Sequence, residues 1–221
     1  MLRKMSPFFS LVLIVLFFDV VQVYAKKWPV YAKNGMVVTT DRIASEVGVA
    51  ILRKGGNAID AAVATGFALA VVHPAAGNIG GGGFMVIRLA DGTTVAIDYR
   101  EKAPKAAHEN MYLDENGQLL RGLNHNGYLA IGVPGTIAGF TLALEKFGTM
   151  SIKDVIKPAI RLANKGFPVS YSLSRGITFL AETFKKYPAS AKVFLKNGSE
   201  PYEQWGTTQD SAEKLQQMGH K

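Results

Sequence analysis

The stretch GNIGGGGFMVIRLADGTTVAIDYREKAP, residues 77–104, decides how this chain folds. Phe84 to Leu89 reads as a strand, Asp91-Gly92 as a tight turn and Thr94 to Tyr99 as the returning strand, which makes an antiparallel hairpin. Four glycines, Gly80 to Gly83, precede it. A phosphate cradle needs strand, glycine loop and then a helix N-terminus, whereas this loop leads into a strand, so a nucleotide site is excluded. Two readings of the glycines stay open: close backbone approach or positive φ on one side, direct substrate contact on the other. At the far end of the hairpin stands Arg100. Its planar guanidinium can take a carboxylate through two parallel hydrogen bonds, a geometry lysine does not reproduce. The competing reading is an ordinary ion pair with Asp98 or Glu101.

Outward from the hairpin the pattern turns helical. From Asp41 to Lys54, the apolar residues Ile43, Val47, Ala50 and Ile51 recur on one helical face, with Thr40 or Asp41 as cap and Gly55-Gly56 as the stop. A second helix is predicted to start at Asn57, with Asp60 in its first turn and Pro74 ending it. Its alanines, together with Ile59, Val63, Phe67, Leu69, Val71 and Val72, leave it apolar nearly all round, as expected of a helix inside a layered protein. His73, just before Pro74, reads as a cap for helix carbonyls. Downstream, helices are predicted over Thr136–Phe147, over Ser151–Lys165 with a kink at Pro158, over about Ser172–Tyr187, and over the polar stretch Asp210–Met218. Helix, helix, glycine loop and hairpin in that order exclude a repeating βαβ unit and predict an α+β fold, helices layered on antiparallel sheet.

Composition narrows the chemistry. The 221 residues are 48% hydrophobic and 19% charged, ordinary globular usage that excludes disorder and fibrous structure. There is no cysteine, hence no disulfide, thiolate zinc site or cysteine nucleophile. The net charge of +8 is dispersed, with Lys26-Lys27 and Lys185-Lys186 the longest basic runs, so no nucleic-acid partner is expected. His73, His108, His125 and His220 share no metal-ligand spacing, and no metal or cofactor is expected. No serine occupies a G-x-S-x-G elbow. At the start, Arg3 and Lys4 precede a largely apolar run from Phe8 to Phe18, and Val23-Tyr24-Ala25 suits a signal peptidase. The run is shorter than the roughly 20 residues of a bilayer span. Residues 1–25 are therefore predicted to be a signal peptide cleaved after Ala25, and residues 26–221 an exported, periplasmic or secreted domain with no stable membrane span.

Several of these segments resemble the γ-glutamyltransferase (γ-glutamyltranspeptidase) family: Asn57 to Ala64, His73-Pro74, Gly77 to Phe84, Asp98 to Pro104, Gly132 to Thr136, and Lys157 to Ala163. The resemblance runs from about residue 36 to the end. It implies an N-terminal-nucleophile hydrolase fold and a precursor that cleaves itself, exposing a threonine at the head of a small subunit. That threonine attacks the γ-glutamyl amide of glutathione and related compounds, and the acyl group passes to water or an amino acid. Because its own α-amine serves as base, no His or Asp partner is needed. The chain is similar to the front part of the large subunit only, and Thr39 and Thr40, which precede a helix, do not substitute for the nucleophile. The expectation is thus a large-subunit fragment, inactive alone, with no catalytic residue of its own and with the nucleophile-bearing small subunit as its missing partner. The resemblance assigns one substrate residue, Arg100, to the γ-glutamyl α-carboxylate. The alternatives are a related enzyme processing poly-γ-glutamate or an acylase, and a non-catalytic exported fragment that binds an acidic amino acid.

Overall fold

The computed structural model describes residues 29–77, 79–198 and 200–201. Contacts divide the chain into two units, Met1–Gly35 and Met36–Lys221. Of the first unit, residues 29–35 are described and carry no helix or strand. The predicted signal peptide and the predicted Asp210–Met218 helix lie outside the described residues.

The second unit begins its regular structure with α1, Arg42–Arg53. Asp41 is its cap, accepting from the Ile43 and Ala44 N–H groups at 2.8 and 3.2 Å, which satisfies two donors that a helix start leaves orphaned. Helix α2, Ala58–Val72, starts from a reciprocal capping box: the Asn57 side chain accepts from Asp60 N, and the Asp60 carboxylate accepts from Asn57 N. As its composition predicts, α2 is buried on almost every side, with Ile59, Ala61, Val63, Ala64, Phe67, Ala68 and Val72 all in the core. Small residues set how near its neighbours come. A Cβ on Gly48 of α1 would lie 2.3 Å from Thr65 Oγ1, and one on Gly66 would lie 2.4 Å from the Phe140 ring of the next helix.

Strands β1, Phe84–Arg88, and β2, Thr94–Asp98, pair antiparallel with Phe84 opposite Asp98 and Arg88 opposite Thr94. The turn is one residue longer than an Asp91-Gly92 pair. Leu89 N donates to Thr93 O at 2.8 Å, closing a loop over Ala90, Asp91 and Gly92, with Gly92 at φ +90° as a three-residue hairpin loop requires. The period of two sends Ile87 and Ile97 into the core with Met85 and Val95 packed beside them, while Phe84 and Val86 face away from it.

Helix α3, Thr136–Phe147, packs Phe140, Ala143 and Leu144 into the same core. Helix α4, Ile152–Lys165, starts from the Ser151 cap and continues past the buried Pro158 to Gly166 at φ +76°. Helix α5, Tyr171–Lys185, is followed by a short α6, Pro188–Phe194, and by a two-stranded pair, β3, Leu195–Lys196, with β4, Glu200–Pro201. Neither α6 nor this pair is apparent from periodicity, since each is too short to show a repeat. Their punctuation is nonetheless in the sequence: Pro188 stands at the first helical position, and Asn197-Gly198 takes positive φ at both residues.

One buried polar centre joins these pieces. Asp60 is wholly excluded from solvent. Its carboxylate accepts from Thr149 Oγ1 at 2.6 Å, Thr149 N at 2.9 Å, Met150 N at 3.0 Å and Asn57 N at 2.8 Å, so the start of α2 is tied to the α3–α4 loop. Burial, the largest single influence, pushes this carboxyl up; the hydrogen bonds from Thr149, Asn57 and Met150 together outweigh it and hold the group below its ordinary value.

Candidate functional site

The hairpin ladder continues one pair beyond β2, with Tyr99 N donating to Gly83 O at 3.0 Å and Gly83 N to Tyr99 O at 3.3 Å. Past Arg100 and Glu101 the chain is caught again at Lys102, which exchanges backbone hydrogen bonds of 3.1 and 2.8 Å with Val133. The start of α3 is fastened to the glycine loop, since Gly135 N and Thr136 N both donate to Gly81 O, at 3.0 and 3.1 Å. Two segments distant in sequence, the glycine loop and the start of α3, therefore converge on residues 99–102. Between them lies a cleft of about 280 Å³, walled by Asp98, Tyr99, Arg100 and Lys102 on the strand side and by Pro134, Ala138 and Leu142 on the helix side.

Arg100 is anchored from below and open above. Its backbone N–H donates to Asp98 Oδ1 at 2.9 Å, so Asp98 braces the main chain and forms no ion pair with the guanidinium. The ion pair it does make is with Glu101, Nε to Oε2 at 3.4 Å, and its Cζ lies 6.0 Å from the Phe84 ring centre. With the Arg100 side chain 57% exposed, this pair is worth at most about 1 kcal/mol. It uses Nε and leaves the terminal Nη1 and Nη2 without a hydrogen-bond partner among the described residues. Glu101 Oε2 is buried and accepts no hydrogen bond there. An incoming carboxylate could thus use the free guanidinium edge while Glu101 steadies the other side.

Tyr99 forms the floor of the site. Its ring meets Phe140 edge-on at 5.8 Å, Phe140 meets Phe67 the same way at 5.2 Å, and the Tyr99 hydroxyl donates to Phe84 O at 3.4 Å. Burial pushes its phenol above the ordinary value. The other residues weighed from sequence take structural or peripheral places. His73 closes α2 through its backbone, N–H to Leu69 O at 2.8 Å, and His108 and His125 are exposed. Thr39 is committed to the start of α1, its hydroxyl donating to Asp41 O at 2.6 Å and lying 2.9 Å from Ser45 Oγ. The helix wall of the cleft, signalled by the Gly135, Gly139 spacing of one helical turn, and the buried role of Asp60, signalled by a carboxylate inside an otherwise apolar helix, emerge only in the structure.

Helices packed on one face of an antiparallel hairpin, with an arginine at the strand end beside a cleft, make this an α+β arrangement, the class expected from the sequence. The family model for gamma-glutamyltranspeptidase matches residues 44–221. The chain belongs to that family. It is 52% identical over 179 residues to a glutathione hydrolase proenzyme from Pseudomonas sp. (strain A14), covering 81% of this chain and 31% of the relative. A second glutathione hydrolase proenzyme, from Escherichia coli (strain K12), is 50% identical over 171 residues, covering 77% of this chain and 30% of the relative. The crystal structure of Helicobacter pylori gamma-glutamyltranspeptidase superposes with a TM-score of 0.78 at 48% identity, covering 86% of this chain and 56% of that one. The chain thus spans about a third of the length of the curated relatives it matches.

Proposed function

We propose that this chain forms the γ-glutamyl-recognising part of an exported γ-glutamyltransferase that hydrolyses glutathione and related amides. The observation that carries the reading is the free guanidinium edge of Arg100 at the mouth of the cleft, beside an ion pair that leaves it unused. A γ-glutamyl group carries an α-carboxylate at one end and the scissile amide at the other. Arg100 holds the carboxylate by two parallel charge-assisted hydrogen bonds, which fixes where the amide falls. The attacking threonine is supplied by a small subunit, in keeping with the resemblance, and its α-amine takes the hydroxyl proton as the oxygen adds to the amide carbon. The leaving amine departs with a proton, and water or an amino acid then accepts the acyl group. This chain contributes binding and orientation and no nucleophile. Export rests on the basic start, the apolar run and the Val23-Tyr24-Ala25 site.

The test compares the chain alone with the chain co-expressed with the portion of the Escherichia coli relative that it does not match. The chain alone is expected to release no p-nitroaniline from γ-glutamyl-p-nitroanilide, and the co-purified complex is expected to release it and to cleave glutathione. Turnover by the chain alone after contamination controls, or a stable complex with no turnover, would overturn the proposal.

A further inference from the structure

We propose that Gly82 and Gly135 are positioning residues for Arg100, two bare Cα atoms that trap the Tyr99–Arg100 peptide between the glycine loop and the start of α3. The inference rests on the reading of Arg100 as the carboxylate contact and adds what holds it in place. A Cβ built on Gly82 would lie 2.4 Å from Tyr99 O, 2.7 Å from Glu101 N and 2.8 Å from Arg100 C. One built on Gly135, at the start of α3, would lie 2.0 Å from the same Tyr99 O and 3.1 Å from Arg100 O. The obstacle in both cases is backbone, which has no rotamer to yield, so any side chain must separate the segments. Neither glycine has positive φ, so the requirement is for space and not for a left-handed conformation.

The slot matters because of what it carries. Tyr99 O already accepts from Gly83 N, and Gly81 O accepts from Gly135 N, so the loop grips both the strand and the helix start. Arg100 is the next residue along, and among the described residues its side chain is held only by the exposed ion pair with Glu101 and the Phe84 ring. Its Cα position, set by the slot, therefore limits where the guanidinium can reach over the cleft. A methyl group at either glycine moves that Cα relative to the helix wall, and a displacement near 1 Å can reduce rate by roughly a hundredfold when it misplaces a substrate contact.

The experiment uses the complex assembled with the nucleophile-bearing portion. Gly82→Ala and Gly135→Ala are compared with wild type on γ-glutamyl-p-nitroanilide and on 4-aminobutyryl-p-nitroanilide, which lacks the α-carboxylate. Each variant is expected to raise KM for the first donor about tenfold or more with a smaller change in kcat, and to lose most of the preference for it over the second. Gly176→Ala, in open space on α5, is expected to change neither. An unaltered KM in the folded variants, or an equal loss on both donors, would overturn the proposal. Arg100→Ala separates the two readings. If it abolishes the preference and the glycine variants keep it, positioning is wrong and the Arg100 reading stands; if it too keeps the preference, both fall. Should neither glycine variant fold, Gly132→Ala decides, since its Cβ would meet Glu101 Cβ at a milder 3.1 Å. A KM rise of a few-fold supports the slot, and wild-type KM overturns it.

Discussion

Removing the carboxylate of Asp60 is expected to cost more stability than any other single polar change in the described chain. In Asp60→Ala, three backbone N–H groups, of Asn57, Thr149 and Met150, and the Thr149 hydroxyl lose their acceptor at once. A fully buried donor left unpaired costs about 1–3 kcal/mol, and these part-buried donors fall at the lower end of that range. Because the four share one acceptor and relax together, the sum is not additive, and about 3–5 kcal/mol is expected. That is a large share of the roughly 5–15 kcal/mol that holds a domain folded. Asp60→Asn keeps the shape but turns an NH2 group towards donors, and about 2–3 kcal/mol is expected. Urea unfolding followed by far-UV circular dichroism reads both as a lower midpoint at unchanged slope. The acid limb gives an independent check. The folded carboxyl lies below the ordinary 3.8, so its contribution is complete above that pH and is lost as pH falls through the folded value. The gap between wild type and Asp60→Asn should therefore be widest near neutrality and should close in strong acid. A loss under about 1 kcal/mol for Asp60→Ala, or a gap independent of pH, would refute the reasoning.

Phe140→Ala removes a ring held between Phe67 and Tyr99 and is expected to lower stability by about 3–5 kcal/mol by urea unfolding. Two helical glycines should respond in opposite senses in the same assay: Gly66→Ala, whose Cβ would press on the Phe140 ring, is expected to cost about 1–3 kcal/mol. Gly176→Ala, with nothing near it on α5, is expected to gain about 0.4–1 kcal/mol. If residues 1–25 are a cleaved signal, mass spectrometry of the exported protein will find Lys26 at its N-terminus; an intact Met1 would contradict it.

The elements legible from sequence are those long enough to show a period or sharply punctuated. Asp41, Asn57 and Ser151 mark three helix starts because each side chain accepts from nearby N–H groups, a local interaction written in adjacent residues. The hairpin register follows from alternation, which puts Ile87 and Ile97 on the core face. Where sequence falls short, the deciding contact is distant. Whether Arg100 pairs with Asp98 or Glu101 depends on which side-chain atoms meet, and the outcome, backbone to Asp98 and Nε to Glu101, is not encoded in spacing. Likewise the use of the glycine run depends on Gly135, more than fifty residues on, whose N–H reaches Gly81 O. By position alone Asp60 reads as a first-turn acid suited to the helix dipole, and its larger role needs Thr149 and Met150 folded against it.

The central claim is that the open edge of Arg100 holds the α-carboxylate of a γ-glutamyl donor, and kcat/KM of Arg100→Ala and Arg100→Lys in the assembled complex tests it most directly. Taken as one contact worth roughly 1.5–3 kcal/mol, the held carboxylate when lost should lower kcat/KM for γ-glutamyl-p-nitroanilide by about ten- to two-hundred-fold. Lysine should recover only part, since it keeps the charge and loses the fork. On 4-aminobutyryl-p-nitroanilide, wild type and variants should be nearly equal. If Arg100→Ala instead leaves kcat/KM for the γ-glutamyl donor unchanged while lowering folding stability, the guanidinium serves only its ion pair with Glu101, and the account is contradicted.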